Sequence, residues 1–197
     1  MTRAQKSFPI DASRKPRADG LRNRMLIIQV AKDAFTQKGA GASLDDIAKT
    51  AGVGAGTLYR HFPTREALLQ GVYSAEVDKL AEAAATLAHA HPPVQALRAW
   101  LTLFIDYLNS KKIIAPALSG HVGGERVIQD GMSKVHKAVE TIYTLAIKSG
   151  AIRPDVKPID HLLAVLGVLH FGAKDGAKDA ALRLVDTLIA GSRPPQS

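Results

Sequence analysis

The chain has 197 residues, 46% of them hydrophobic, with 26 Lys plus Arg against 18 Asp plus Glu and no cysteine. The missing cysteines exclude a disulfide scaffold, thiolate metal sites and cysteine nucleophiles, and no apolar run is long enough to span a membrane. The net charge of +8 is lopsided: residues 1–65 hold 12 basic and 5 acidic side chains, residues 66–197 hold 14 and 13, which points to a polyanion as partner, nucleic acid or an acidic membrane surface.

In chain order, residues 1–20 read as a flexible basic arm, with Pro9, Pro16, Gly20 and a cluster of charge at Arg14–Arg17. This start is polar and lacks the apolar stretch of a secretory leader, so the expectation is a soluble, cytoplasmic protein. A first helix is predicted from about Leu21 to Lys38, with Met25, Ile28, Ala31 and Phe35 on its inner face. A second opens at Ser43, whose hydroxyl suits an N-cap, and buries Leu44, Ile47, Ala48 and Ala51. Gly52-Val53-Gly54 makes a turn, and a third short helix runs through Thr57–Phe62. Helix, tight glycine turn, short helix is the helix-turn-helix pattern.

A fourth, long helix is capped by Thr64, with Glu66 in its first turn, and carries Leu69, Tyr73, Leu80, Ala84 and Leu87 toward Pro92-Pro93. Five more are predicted over about 94–109, 111–121, 124–149, 158–173 and 177–190. No alternating, strand-like run appears, so the fold class is all-α. The last two helices are apolar more broadly than one core face requires, which suits a homodimer packed through them. The division is a 1–20 arm, a 21–67 helix-turn-helix domain, a 68–191 helical body and a 192–197 tail.

The stretch Leu44–Phe62 contains Ile47-Ala48, Ala51-Gly52-Val53, Gly56-Thr57-Leu58-Tyr59 and His61-Phe62, with Glu66-Ala67-Leu68-Leu69 beyond. It resembles the DNA-binding signature of the TetR family of one-component repressors, over about residues 21–70. The resemblance implies a three-helix DNA-binding domain followed by a helical domain that binds a ligand and dimerises. It also implies a double-stranded, palindromic DNA operator, released when a small-molecule effector binds. Activation is the alternative reading, and a helical small-molecule-binding protein without DNA activity is a further one. In that family Thr57, Tyr59, His61 and Arg65 would occupy DNA-contact positions.

The residues support this on their own chemistry. Leu58 and Phe62, four apart, face inward, so Gly56 and Arg60 point outward with Thr57 and Tyr59 on the flanks. Gly56 presents no side chain to keep the backbone from a groove wall. Arg60 can bond a guanine edge, and Thr57 a base or a thymine methyl. Tyr59, Lys49 and Arg65 can reach phosphates, and Ser43 at the head of the second helix is counted with them. A helical wheel sets His61 nearer the core, so orienting the turn is a rival role for it. Ala55 has no bonding group, so base choice would lean on Arg60, Thr57 and DNA shape.

Other chemistry finds no carrier. The Gly52-x-Gly54-x-Gly56 run follows a helix and lacks the spacing of a dinucleotide loop. His89 and His91 abut a helix end, while His161 and His170 lie on opposite helix faces. No metal, cofactor or catalytic role is assigned. Trp100, Phe104 and Tyr107 form a one-face aromatic stripe that suits either plain core or the wall of an effector cavity. With His121, His136, Tyr143 and Phe171 as further handles, the expectation is an apolar or aromatic effector.

Overall fold

A computed structural model describes residues 14–172 and 176–195, with side chains from Ala18 onward. The described residues form helices joined by short turns: α1 (Arg14–Lys38), α2 (Leu44–Thr50), α3 (Ala55–His61), α4 (Arg65–Ala90), α5 (Pro93–Ser119), α6 (Gly124–Lys148), α7 (Pro158–Phe171) and α8 (Ala177–Gly191). No strand occurs among them. The all-α expectation holds.

Helix α1 starts earlier than the predicted Leu21. Pro16 falls in its first turn, where backbone amides have no helical partner to lose, so proline does not delay the start. The predicted arm is therefore helical over residues 14–20, and residues 1–13 lie outside the described part. Its core stripe also differs. Ile27, Ala31 and Phe35 are fully buried at intervals of four, whereas Met25 is 70% exposed and Ile28 only half-buried.

The next two helices lie where the sequence puts them. Ser43 Oγ accepts the Asp46 amide at 3.3 Å and caps α2, and Gly52 turns the chain toward α3 at φ +68°. Helix α4 begins under Thr64, whose hydroxyl accepts the Ala67 amide at 3.1 Å. It then packs along α5 and α6 while its first half meets α1, so it belongs to both halves of the molecule. The Lys32–Glu76 ion pair, at 2.6 Å, adds a second tie between α1 and α4.

The largest departure is α5. The two helices predicted over 94–109 and 111–121 are one helix of 27 residues that continues through Pro116. An interior proline costs about 3 kcal/mol. Ile114 and Leu118, buried on either side of it, each return about 1.5–3 kcal/mol by leaving water, so continuity wins.

The body closes around a buried polar cluster. His161 is nine-tenths buried, its Nε2 lies 3.2 Å from Ser192 Oγ, and its Nδ1 is hydrogen-bonded to the Tyr143 hydroxyl. Ser192 donates to the Leu188 carbonyl at 2.6 Å, so its oxygen accepts from Nε2–H and Tyr143 donates to Nδ1. Burial pulls the His161 pKa below its ordinary value, with Asp160 opposing more weakly. Ser192, predicted to open a free tail, is thus anchored, and its carbonyl also accepts the Arg153 amide at 2.9 Å. No described helix is long and apolar enough to cross a membrane.

Candidate nucleic-acid interface

Helix α3 sits on a small platform made by α1 and α2, and α4 approaches the Phe62 that follows it. Leu58 and Phe62 are almost wholly buried, which fixes the opposite face outward. On that face Gly56 and Arg60 are exposed, Thr57 is half-buried and Tyr59 is 45% exposed. Open space lies above Gly56 where a side chain would stand. The Arg60 guanidinium folds back along its own helix, donating to Thr57 Oγ1 at 2.9 Å and to the Gly56 carbonyl at 3.3 Å. These contacts are solvent-exposed and cheap to exchange, so the arginine is held ready on the surface rather than locked into it. Lys49 is exposed in the last turn of α2. Together with Tyr59, it can meet phosphates flanking α3.

The other expected contact residues are placed differently. Ser43 is exposed but spends its hydroxyl on the α2 cap. His61 is half-buried, beside Gly20 of α1. Arg65 turns inward: its Nη1 donates to the Ala40 carbonyl at 3.0 Å and to the Ala42 carbonyl at 2.5 Å. It ties the first turn of α4 to the loop between α1 and α2.

Two residues that the sequence reading passed over hold α3 in place. The Arg24 guanidinium carbon lies 4.4 Å from the Phe62 ring centroid, and Arg24 also donates to the His61 carbonyl at 3.4 Å. On another side, Gly71 of α4 comes so close that an added Cβ would fall 2.7 Å from Phe62 Cε1. Phe62 thus fixes the end of α3 against both α1 and α4. A lone glycine inside a strongly helical run was the available signal for this close approach.

In the body, an open groove lies between α5, α6 and α7. Phe104, Tyr107, Met132, Val135, Leu162 and Leu166 form its walls, with His136 and Lys111 among its polar members. Of the seven residues expected to hold an effector, it gathers Phe104, Tyr107 and His136. Trp100 stands behind the wall, stacked on Phe104 at 5.8 Å and donating its indole N–H to the Leu80 carbonyl at 2.9 Å. Tyr143 faces His161 instead. His121 is at the surface after α5, donating to the Ala117 carbonyl at 2.7 Å, with Nε2 3.4 Å from Glu66. Phe171 is 87% exposed at the end of α7. The groove is therefore walled by three helices and open to solvent. Among the described residues no group of three metal-ligating side chains gathers.

Comparison with known proteins supplies an independent line. Residues 27–72 match the family model described as bacterial regulatory proteins, tetR family. Residues 92–194 match the C-terminal domain of SbtR-like transcriptional regulators. The chain is 40% identical over 70 residues to the HTH-type transcriptional regulator SAR0097 of Staphylococcus aureus (strain MRSA252). It is 30% identical over 86 residues to the regulator UidR of Escherichia coli (strain K12). Those matches take in 34% and 43% of this chain but only 36% and 38% of the two relatives' own lengths. Solved structures agree over far more of the chain. The TetR transcriptional regulator SCO0520 from Streptomyces coelicolor superposes with a TM-score of 0.80 at 36% identity, over 88% of this chain and 99% of that one. A TetR transcription regulatory protein from Mycobacterium vanbaalenii gives 0.73 at 31% identity, over 91% and 99%.

Proposed function

Because the chain belongs to the TetR family of DNA-binding transcriptional regulators, we propose that it is a cytoplasmic, homodimeric repressor whose grip on a palindromic operator is released by a small molecule. The observation that carries this reading is the outer face of α3, where Gly56, Thr57, Tyr59 and Arg60 stand clear of a helix whose other side is buried. Arg60 reads a base edge, Thr57 assists it, and Tyr59 and Lys49 take phosphates.

The dimer is supported by α7 and α8, which pack on each other, and by Phe171, 87% exposed at the end of α7. Two copies packed through α7 and α8 make a four-helix contact and set their reading helices about 34 Å apart, in successive major grooves. An effector in the α5–α7 groove then favours a conformer in which that spacing is wrong. Its leverage equals its differential affinity for the two conformers, on the order of 1–3 kcal/mol.

The test begins with selection of bound DNA from a random pool, followed by fluorescence-anisotropy titration of the selected site. Arg60→Ala is expected to lower affinity by about 1–3 kcal/mol and relax the preference at one position. Tyr59→Phe is expected to weaken all sequences alike. An Arg60→Ala variant with unaltered affinity and selectivity removes α3 as the reading element.

A further inference from the structure

The groove between α5, α6 and α7 continues past its first compartment. A second compartment, bounded by Asn109, Lys112, Pro116, Leu169 and His170, shares Leu108, Lys111 and Leu166 with the first. The two hold about 110 and 270 Å³, and together they reach the lower end of the roughly 300–1,000 Å³ common for small-molecule sites. Lys111 stands where they meet, half-buried, with its ammonium 6.0 Å from the Tyr107 ring centroid.

The electrostatics of this channel run one way. His136, Lys111, Lys112 and His170 line it, and among the described residues neither compartment is lined by an aspartate or glutamate. Among the described residues Lys111 makes no ion pair, unlike Lys32, Lys134 and Lys178, each of which meets a carboxylate. Burial alone pulls its pKa below the ordinary lysine value, and no carboxylate raises it again. A half-buried ammonium left in this state is stabilised by any anion that reaches it, and the apolar walls on each side require that anion to carry a hydrophobic body.

Building on the proposed effector role of this groove, we propose that its ligand is an anionic amphipath, a monocarboxylate with an aliphatic or aromatic body, whose carboxylate pairs with Lys111 while its body lies along Phe104, Met132, Leu162 and Leu166. The carboxylate accepts from the ammonium, so one buried charge neutralises another. A neutral ligand of the same shape leaves the lysine desolvated without a partner, and a cationic one adds repulsion. The site therefore selects by charge as well as by shape.

The chain carries its own reporter for this. Trp100 is its single tryptophan, and it stacks directly behind Phe104, a groove wall. The probes are decanoate, decanol and decyltrimethylammonium, each below its micelle concentration. Each is titrated into the full chain, reading Trp100 emission and the thermal unfolding midpoint. Decanoate is expected to give a saturable change in both, decanol a weaker one and the cation none. Lys111→Met should raise the decanoate Kd about tenfold or more while leaving decanol binding no weaker, and Lys111→Arg should keep the decanoate Kd within about threefold. Equal binding of all three probes, a decanoate Kd indifferent to Lys111→Met, or no saturable response overturns the proposal. Operator binding is measured separately on the same preparation. Decanoate bound through Lys111 by a chain that ignores DNA leaves the site standing and sinks the repressor reading. Firm operator binding with no response to decanoate does the reverse.

Discussion

The hydroxyls of Tyr73 and Tyr107 meet at 3.1 Å inside the body, and Tyr73 also donates to the Ile128 carbonyl at 3.4 Å. Tyr107 is a wall of the groove, whereas Tyr73 lies on α4, the helix that begins at the DNA-reading head. Burial is the main cause that pushes both phenols above their ordinary pKa, so they remain neutral hydrogen-bonding groups at any working pH. One hydrogen bond thus joins a wall of the groove to the helix that begins just after α3.

Tyr107→Phe removes that bond and leaves Tyr73 its carbonyl partner. The expected cost is about 1 kcal/mol of stability, seen as a lower urea midpoint with unchanged slope. Operator affinity without ligand should stay near that of the parent, while the ligand-induced loss of affinity shrinks. A full ligand effect in this variant rules out Tyr107 as part of the route.

Gly71→Ala sets two magnitudes against each other. Alanine favours a helix interior by about 1 kcal/mol over glycine. The new methyl would also press on the buried Phe62 ring at 2.7 Å, and overpacking of this kind costs about 1–3 kcal/mol. The clash should win, lowering the thermal midpoint and tilting α3, with a matching loss of operator affinity. A stabilised variant that binds DNA normally would mean that Phe62 has room to retreat.

Arg65→Ala separates two roles for one side chain. Charged donors bonded to carbonyls contribute about 1.5–3 kcal/mol each, reduced by partial exposure, so a clear drop in unfolding free energy is expected. The salt dependence of DNA binding should barely change. A phosphate contact would give the opposite result: unchanged stability and a salt slope shallower by about one.

His161 predicts how stability follows pH. Its folded pKa lies below the value of about 6.5 at which an unfolded histidine titrates. Between the two, the unfolded chain binds the extra proton, so stability is complete above about 6.5 and falls as pH drops below it. Thermal midpoints at about pH 7.5 and about pH 5.5 should differ for the parent, and His161→Gln should narrow that difference. An identical difference in the variant would assign the proton to another group.

Local signals made the reading head legible in the sequence. Ser43, Thr64 and Gly52 each state a cap or a turn, and Leu58 with Phe62 states which way α3 faces. Contacts between distant segments carry no such local mark. Nothing near Arg65 shows that its guanidinium will find carbonyls 23 and 25 residues back. The break predicted near residue 110 did not form: Ser110 is buried within α5, and the packing that buries it depends on the whole fold. The groove was half-legible. Trp100, Phe104 and Tyr107 mark one face of α5, and Lys111, one turn further along that face, extends it to the residue that gives the groove its charge.

The unbroken course of α5 has a mechanical outcome. At one end Arg98 is bonded to Asp186 of α8, with its Nε at 2.6 Å, and just past the other end His121 reaches Glu66 in the first turn of α4. The same rod that borders the groove therefore also acts as a stay against the base of the head. A swing of α4 away from the body must part His121 from Glu66. An exposed contact of that kind resists by no more than about 1 kcal/mol. Under the proposed effector role, such a contact would act as a detent, firm enough to define a resting angle and soft enough for one small ligand to overcome.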